Sequence, residues 1–157
     1  FEFNNYFKAN RWLTIDADYA LARARFRDPA PEGDYIPGAV EGVASVAAIV
    51  DDGGTYSGSL QLRYFGPRPL TEDNMLRSDG TTTLNGRVSY RVNNDTRLEL
   101  IGFNLLNSKH SAIDYASDSY TPPNGSGGLG TPLPNGKYRV FHPIEPINFR
   151  LVLITRY

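Results

Sequence analysis

The chain has 157 residues, enough for one domain with a packed core, and a formal net charge of −1. A charge so close to zero provides no general attraction to nucleic acid or to acidic substrates. The chain contains no cysteine, which excludes disulfides, thiolate metal sites and a cysteine nucleophile. No apolar stretch reaches the roughly 18 residues that a membrane-spanning helix needs.

Apolar and polar residues alternate along most of the chain, as in strands with one apolar and one wet face. The clearest runs are residues 13–19, 57–64 and 84–92. Hardly any window has helical periodicity, so the alternation predicts an all-β fold of about seven antiparallel, meandering strands. Their predicted bounds are 1–9, 11–26, 40–51, 55–66, 81–93, 96–108 and 146–157.

The predicted connections alternate between short and long. Residues 9–11, 51–54 and 93–95 have the composition of hairpin turns. The other three connections are long polar loops rich in Pro, Gly, Asp and Asn, at residues 27–39, 67–80 and 109–145. In a meander this order puts every short turn at one end of the sheet and every long loop at the other. Such asymmetry is typical of transmembrane barrels, which have tight periplasmic turns and large extracellular loops.

Most charged side chains in the predicted strands keep to the polar positions, although the alternation passes to Arg23 and Arg25 after Tyr19. An arginine facing lipid at the middle of a membrane would cost about 2–4 kcal/mol, so their shared parity favours a barrel whose polar face lines the lumen. The predicted lumen-facing residues are Asp16, Asp18, Gln61, Arg63, Arg87, Arg91, Glu99, Arg150 and Arg156.

Aromatic residues lie toward the strand ends on the apolar side, where barrels carry aromatic girdles. They are Tyr19, Tyr64, Tyr90, Phe149 and Tyr157. The last predicted strand also alternates Phe149, Leu151 and Leu153 with Arg150. A strand tucked into an ordinary core has the same pattern, so this segment alone does not decide between lipid and a protein interior.

Seven strands cannot close a single-chain bacterial barrel, whose strand count is even and at least about eight. With the short turns on the periplasmic side, the first and the last strand run in the same direction. The sequence also opens at Phe1, in mid-strand, without an initiator Met or signal peptide. We therefore expect residues 1–157 to be the C-terminal portion of a larger barrel whose first strands are absent.

Several segments together resemble TonB-dependent outer-membrane receptors, and they span most of residues 12–157. Residues 63–70 with 72–74 and residues 98–107 resemble strand-to-loop segments of that family, and residues 142–146 and 149–157 resemble the end of its barrel.

The resemblance implies a barrel of about 22 strands with a plugged lumen. It also implies an N-terminal plug domain, absent from these residues, that receives energy from the TonB complex. The implied function is active uptake of a scarce nutrient across the bacterial outer membrane, most commonly an iron–siderophore complex. The implied partners are outer-membrane lipid, the TonB complex through the plug, the barrel assembly machinery and the small-molecule ligand; no nucleic acid and no cofactor are expected. Phe149, Leu151, Leu153 and Tyr157 resemble the signal that the assembly machinery reads.

The longest loop carries the candidate ligand-binding residues Tyr115, Tyr120 and Tyr138, because exposed loop aromatics suit stacking on a ligand. Packing within the loop is an equally good interpretation of these tyrosines. His110 and His142 have no close ligand spacing, so no metal site is predicted.

Other features predict no further chemistry. Asp16 and Asp18 share a strand face, but no nucleophile or oriented base accompanies them, so no enzyme is predicted. The glycine-rich segment 125–130 is not followed by Lys-Ser/Thr, so it is interpreted as a loop tip and not as a phosphate cradle.

Two other function classes stay open at this point. A passive or structural porin-like barrel would have the same strands but neither plug nor energy coupling. A soluble all-β binding module would expose no face to lipid and would be recovered without detergent.

Overall fold

The structure, a computed structural model, describes residues 1–117 and 138–156. Within these residues the regular elements are all strands, and no helix is long and apolar enough to cross a membrane. The strands are β1 (Glu2–Lys8), β2 (Leu13–Leu21), β3 (Arg25–Ala30), β4 (Gly33–Tyr35), β5 (Gly42–Asp51), β6 (Tyr56–Phe65), β7 (Thr81–Arg91), β8 (Thr96–Phe103), β9 (Ser111–Ser117), β10 (Tyr138–Pro143) and β11 (Asn148–Thr155).

Seven of these strands form one sheet in the order β1-β2-β5-β6-β7-β8-β11. Every neighbouring pair in it is antiparallel. The predicted all-β, antiparallel class is therefore confirmed, and each strand of the sheet lies inside one predicted segment. The reason is that most of these strands keep a two-residue apolar period, although in β5 apolar residues such as Val46 and Ile49 occupy both faces.

The predicted single strand over 11–26 is wrong, because β2 ends at Leu21 and β3 begins at Arg25. The apolar alternation lapses after Leu21, and Arg25 is held away from the sheet. Its guanidinium lies 3.4 Å from the centroid of the Tyr35 ring and pairs with Asp34 and Glu41. The predicted extension of the sixth strand to 108 is also wrong, since β8 ends at Phe103.

Two of the predicted long loops contain strands of their own. β3 and β4 pair as one hairpin, and β9 and β10 pair as another. These hairpins are separate from the seven-stranded sheet, so the count of seven holds for that sheet and not for the described chain as a whole.

The short turns are fixed by side chains that cap the backbone. Asn10 Oδ1 accepts hydrogen bonds from the N–H groups of Trp12 and Leu13, at 2.9 Å each. Asn93 Oδ1 does the same for residues 95 and 96, at 2.9 and 2.8 Å. In the turn between β5 and β6, Gly53 has a φ of 77°, a left-handed conformation that glycine adopts without steric cost. Asparagine side chains that bind nearby backbone N–H groups and glycine in a left-handed conformation are both typical of hairpin turns.

The meander gives the sheet two distinct ends. The β1–β2, β5–β6 and β7–β8 turns lie at one end, here called the short-turn end. The connections that leave β2, β6 and β8 lie at the other, here called the long-loop end. β1 and β11 are the edge strands, and they run in the same direction because five strands separate them in an antiparallel order.

The burial pattern is the reverse of a packed core. Among the described residues, the buried apolar side chains are Ala47, Pro69 and Leu70. Most buried side chains are polar or charged: Thr71, Ser78, Thr81, Ser89, Glu99, Asn104, Ser111 and Asp114. An exposed apolar surface together with buried polar groups is the informative departure from ordinary globular packing.

Candidate functional site

Strand register places most of the large apolar side chains of the sheet on one side, although Val43, Ile49, Ile101 and a few others lie on the opposite side. Directly opposed residues of antiparallel strands share a face, and residues two apart along a strand share it too. One row, for example, runs Ala48, Leu60, Gly86, Gly102, Phe149 across five strands. This side, here called the apolar face, consists of Phe3, Phe7, Leu13, Ile15, Ala17, Tyr19, Ala44, Val46, Ala48, Val50, Tyr56, Leu60, Leu62, Tyr64, Leu84, Gly86, Val88, Tyr90, Leu98, Leu100, Gly102, Phe149, Leu151 and Leu153.

The apolar face is uncovered. Leu60 is 54% exposed, Val88 59% and Leu151 67%. A shallow groove of about 510 Å³ lies on it between β5 and β11, and its lining includes Gly86, Gly102 and Leu105, whose side chain packs over both glycines. Monomeric soluble proteins seldom expose a contiguous apolar patch larger than a few hundred Å². The face therefore needs an apolar environment.

The opposite side, here called the polar face, carries the charged residues of the strands. Strand register places on this face seven of the charged residues that were predicted to face the lumen. They are Asp16, Asp18, Arg63, Arg87, Arg91, Glu99 and Arg150. Gln61 is on the same side and donates to Ser45 Oγ at 3.2 Å. One surface of the sheet is thus suited to water and the other is not.

Aromatic residues border the apolar face at both ends. Tyr19, Tyr64 and Phe149 lie near the long-loop end. Tyr56 and Tyr90 pair near the short-turn end, with ring centroids 5.2 Å apart. Tyr157, the fifth aromatic predicted for these bands, lies outside the described residues. Tyrosines with an apolar ring and a polar tip suit a boundary between apolar and aqueous surroundings.

The loops at the long-loop end pack on one another. The β3–β4 hairpin rests on the 66–80 connection, where the N–H of Tyr35 donates to the Glu72 carbonyl at 3.1 Å and the N–H of Gly38 donates to the Pro69 carbonyl at 2.8 Å. Arg77 adds an ion pair to Glu41 across the same contact. Most of the buried residues within 1–117 and 138–156 belong to this packed end.

An ion cluster joins the β9–β10 hairpin to the same 66–80 connection. Arg139 Nε lies 2.8 Å from Asp114 Oδ1, and its Nη2 lies 2.8 Å from Asp79 Oδ2. Arg68 approaches the other Asp114 oxygen at 4.0 Å, and the Asp114 side chain is only 2% exposed. Burial lowers the pKa of Arg139, but hydrogen bonds to Asp79 and Asp114 and their charges outweigh it and raise that pKa overall. Arg139 is therefore a permanent cation that holds two carboxylates.

The β9–β10 hairpin has two unlike sides. Arg139 and Asp114 belong to the side that docks on the 66–80 connection, whereas Tyr115 and Tyr138 lie on the other. Tyr115 is opposite Val140, and Tyr138 is two residues before Val140, so the two tyrosines are diagonal neighbours about 7–8 Å apart. Exposed Ile113, Tyr115 and Val140 make this outer side largely apolar.

The structure thus brings two of the three predicted loop tyrosines onto one surface. Tyr120 lies outside the described residues. Ile113 and Val140 were not predicted to belong to this surface. Each is next to a charged residue, Asp114 or Arg139, and that alternation of apolar and charged residues could have indicated the two sides of the hairpin. His142 is opposite Ile113 on the same surface. No group of three or more potential metal ligands was found in the described part of the chain.

The predicted assembly-signal residues of the last strand are Phe149, Leu151, Leu153 and Tyr157. The first three lie on the apolar face and are 63%, 67% and 65% exposed. Tyr157 is not among the described residues.

No protein-family model matches the chain, and a search of curated proteins found no matching sequence. The function is therefore proposed from the two faces, the loops and the sequence resemblance described above.

Proposed function

We propose that this chain is part of the wall of an outer-membrane β-barrel of the TonB-dependent receptor type. In this proposal the apolar face meets lipid, the polar face meets the lumen, and the long-loop end faces the outside of the cell. The observation that carries the proposal is the continuous, uncovered apolar face on an antiparallel sheet whose opposite face is polar. A membrane is a solvent that suits this arrangement, because lipid covers the apolar side chains and strand pairing satisfies the backbone.

The dimensions of the strands support the proposal. β5 and β6 each have 10 residues. At about 3.4 Å per residue and a tilt of about 40°, such strands cross about 26 Å, close to the apolar band of about 25 Å in outer-membrane barrels. The aromatic residues near both ends of the apolar face fall where the two membrane interfaces would lie.

The sheet edges support a larger barrel. β1 and β11 run in the same direction, so an antiparallel barrel cannot close by joining them directly. At least one further strand has to lie between them, and lipid tolerates no open edge. We propose that strands of a longer chain complete the wall, with a plug in the lumen.

The long loops support a role in uptake. Their described parts form a packed surface at one end of the sheet, and the β9–β10 hairpin has the exposed Tyr115 and the half-buried Tyr138 on its outer side. We propose that this surface captures a scarce nutrient for active transport, and the sequence resemblance points to an iron–siderophore complex. Exposed aromatic side chains on an ordered loop suit stacking on such a ligand.

Two measurements separate the classes of function. Recovery of the full-length protein from the outer-membrane fraction, only with detergent, is expected; a stable monomer in plain buffer would overturn the membrane assignment. The full-length gene is expected to encode an upstream plug domain with a TonB box, and its absence would leave a passive porin-like barrel. Growth of a deletion strain on defined iron sources then tests the nutrient.

A further inference from the structure

Charges on the polar face are separated by sign. β1 and β2 carry the acidic residues Glu2, Asp16 and Asp18, with Lys8 as their one cation. Four consecutive polar-face positions of β5, from residue 43 to residue 49, are uncharged, and the fifth is the acid Asp51 at the short-turn end. The part of the face from β6 to β11, here called the basic wall, carries the single acid Glu99 and five arginines: Arg63, Arg87, Arg91, Arg97 and Arg150.

The one carboxylate of the basic wall is already occupied. Glu99 Oε1 lies 2.9 Å from Arg97 Nε and accepts a hydrogen bond from Ser89 Oγ at 3.1 Å. Glu99 is 6% exposed, so this carboxylate is not available to a second arginine from the open side of the sheet. One of the five arginines is thereby neutralised.

The other four arginines have no carboxylate partner within ion-pair distance in the described part of the chain. Arg91 Nη1 donates to the Gly53 carbonyl at 2.9 Å, a contact that leaves its charge uncompensated. Arg63 and Arg150 lie over the rings of Phe65 and Phe103, at 5.4 and 5.5 Å from the ring centroids. A ring face positions a guanidinium without neutralising it.

The spacing of these arginines allows more than one to reach the same molecule. Arg87 and Arg150 flank Ile101 in a single cross-strand row, two strands apart, so their Cα atoms are separated by about 10 Å. Gln61 and Asn85 are opposite each other on the same face, between Arg63 and Arg87. Guanidinium and amide donors thus form a continuous surface.

We propose that the basic wall binds anions, and that the ligand which passes along the polar face carries carboxylate, phosphate or sulfonate groups. This inference rests on the proposed function in taking the polar face as the path of the ligand. Arginine is weakly hydrated and presents five donors, which suits it to oxyanions, and arginine side chains line pathways for anions. The acidic residues of β1 and β2 repel the same ligand and direct it toward the basic wall.

The test uses the full-length protein purified in detergent and the trisulfonated dye pyranine as a probe, read by fluorescence polarisation. Wild-type protein is expected to bind pyranine, inorganic pyrophosphate is expected to compete, and spermidine is not. The double variant Arg87→Gln/Arg150→Gln is expected to bind about tenfold more weakly, from two exposed charge contacts. Arg11→Gln/Arg27→Gln makes the same change in net charge at exposed positions off the polar face and is expected to bind as wild type does.

Absence of pyranine binding by wild-type protein would overturn the proposal, as would equal losses in the two double variants. Should the glutamine variant fail to fold, Asp16→Asn/Asp18→Asn is expected to tighten binding, and weaker or unchanged binding would contradict the proposal. These results are independent of the membrane assignment. If the protein is recovered from the outer membrane only with detergent but does not bind pyranine, anion binding by the basic wall is refuted and the proposed barrel is not affected.

Discussion

Leu60 and Gln61 provide a direct test of which solvent each face of the sheet meets. They are neighbours near the middle of β6, and strand alternation places Leu60 on the apolar face and Gln61 on the polar face. Replacing each by arginine introduces the same side chain at the same depth. The two variants differ only in the face that receives the charge.

The expected cost of Leu60→Arg follows from the exposure of the residue. Full burial of a leucine is worth about 1.5–3 kcal/mol, and Leu60 is 54% exposed, so lipid contact with that part contributes about 1–1.5 kcal/mol. Placing a guanidinium in hydrocarbon adds to this loss, and the total for a lipid-facing site at the midplane is about 2–4 kcal/mol. That free energy corresponds to a change of about 30-fold to 700-fold in the ratio of folded to unfolded protein.

Gln61→Arg is expected to cost about 0.5–1.5 kcal/mol. Its main loss is the hydrogen bond from Gln61 to Ser45, and such bonds contribute about 0.5–1.5 kcal/mol. If the apolar face instead met water, Leu60→Arg would be an exposed surface change, worth about 0.5 kcal/mol at most.

Urea unfolding of the full-length protein refolded into lipid vesicles, followed by tryptophan fluorescence, measures both variants. Outer-membrane abundance in cells gives an independent reading. Leu60→Arg is expected to be the more destabilising by at least about 0.5 kcal/mol, the difference between its lower limit of about 2 kcal/mol and the upper limit of about 1.5 kcal/mol for Gln61→Arg. A Leu60→Arg variant as stable as Gln61→Arg would refute the assignment of the apolar face to lipid.

Three further predictions concern assembly and the loops. Tyr157→Asp is expected to lower outer-membrane levels of the full-length protein, and normal levels on immunoblots would refute its role as an assembly signal. Asp114→Asn leaves Arg139 and Arg68 with less compensating charge, but Arg139 keeps its ion pair to Asp79, so the expected cost is below the figure of about 3–5 kcal/mol for a fully buried pair that loses one partner. Faster hydrogen exchange confined to residues 111–117 and 138–143 is therefore expected, with exposed Asp28→Asn as control; unchanged exchange would show that the ion cluster does not hold the hairpin. Because the pKa of Arg139 is raised, its contribution is complete below the ordinary arginine value and is lost only above it, so Arg139 itself adds no pH dependence near neutrality. Gly33→Ala places a Cβ against the Glu72 carbonyl oxygen, whereas Gly38→Ala meets nothing within 4 Å, although both glycines have positive φ. Greater proteolysis of the β3–β4 hairpin in Gly33→Ala than in Gly38→Ala is the expected result, and equal proteolysis would contradict the packing described for this hairpin.

The sheet could be predicted from sequence because its determinants are local. Each strand, such as the one containing Leu60, Leu62 and Tyr64, meets one uniform environment per face, and a two-residue period records that fact directly. Asn10 and Asn93 mark their turns through contacts only two and three residues along the chain. Strand order and the division into two faces follow from these signals.

The loop structure could not be predicted in the same way. Residues 118–137 separate β9 from β10 in the sequence, so no short turn motif predicts the register in which the two strands pair. Arg139 contacts Asp79, 60 positions away, and the contact depends on how the hairpin docks. The shared surface of Tyr115 and Tyr138 follows from that register, which is why the tyrosines could be proposed singly but not as a pair.

The anchoring of the β9–β10 hairpin has a consequence for affinity. A loop that becomes ordered only on binding loses conformational entropy at that moment, at about 0.5–1.5 kcal/mol for each side chain that is immobilised. Arg139 fixes the inner side of the hairpin before any ligand arrives, so the strand positions of Tyr115 and Tyr138 are set in advance. The ion cluster would thus strengthen capture without touching the ligand, by preorganising the surface that does.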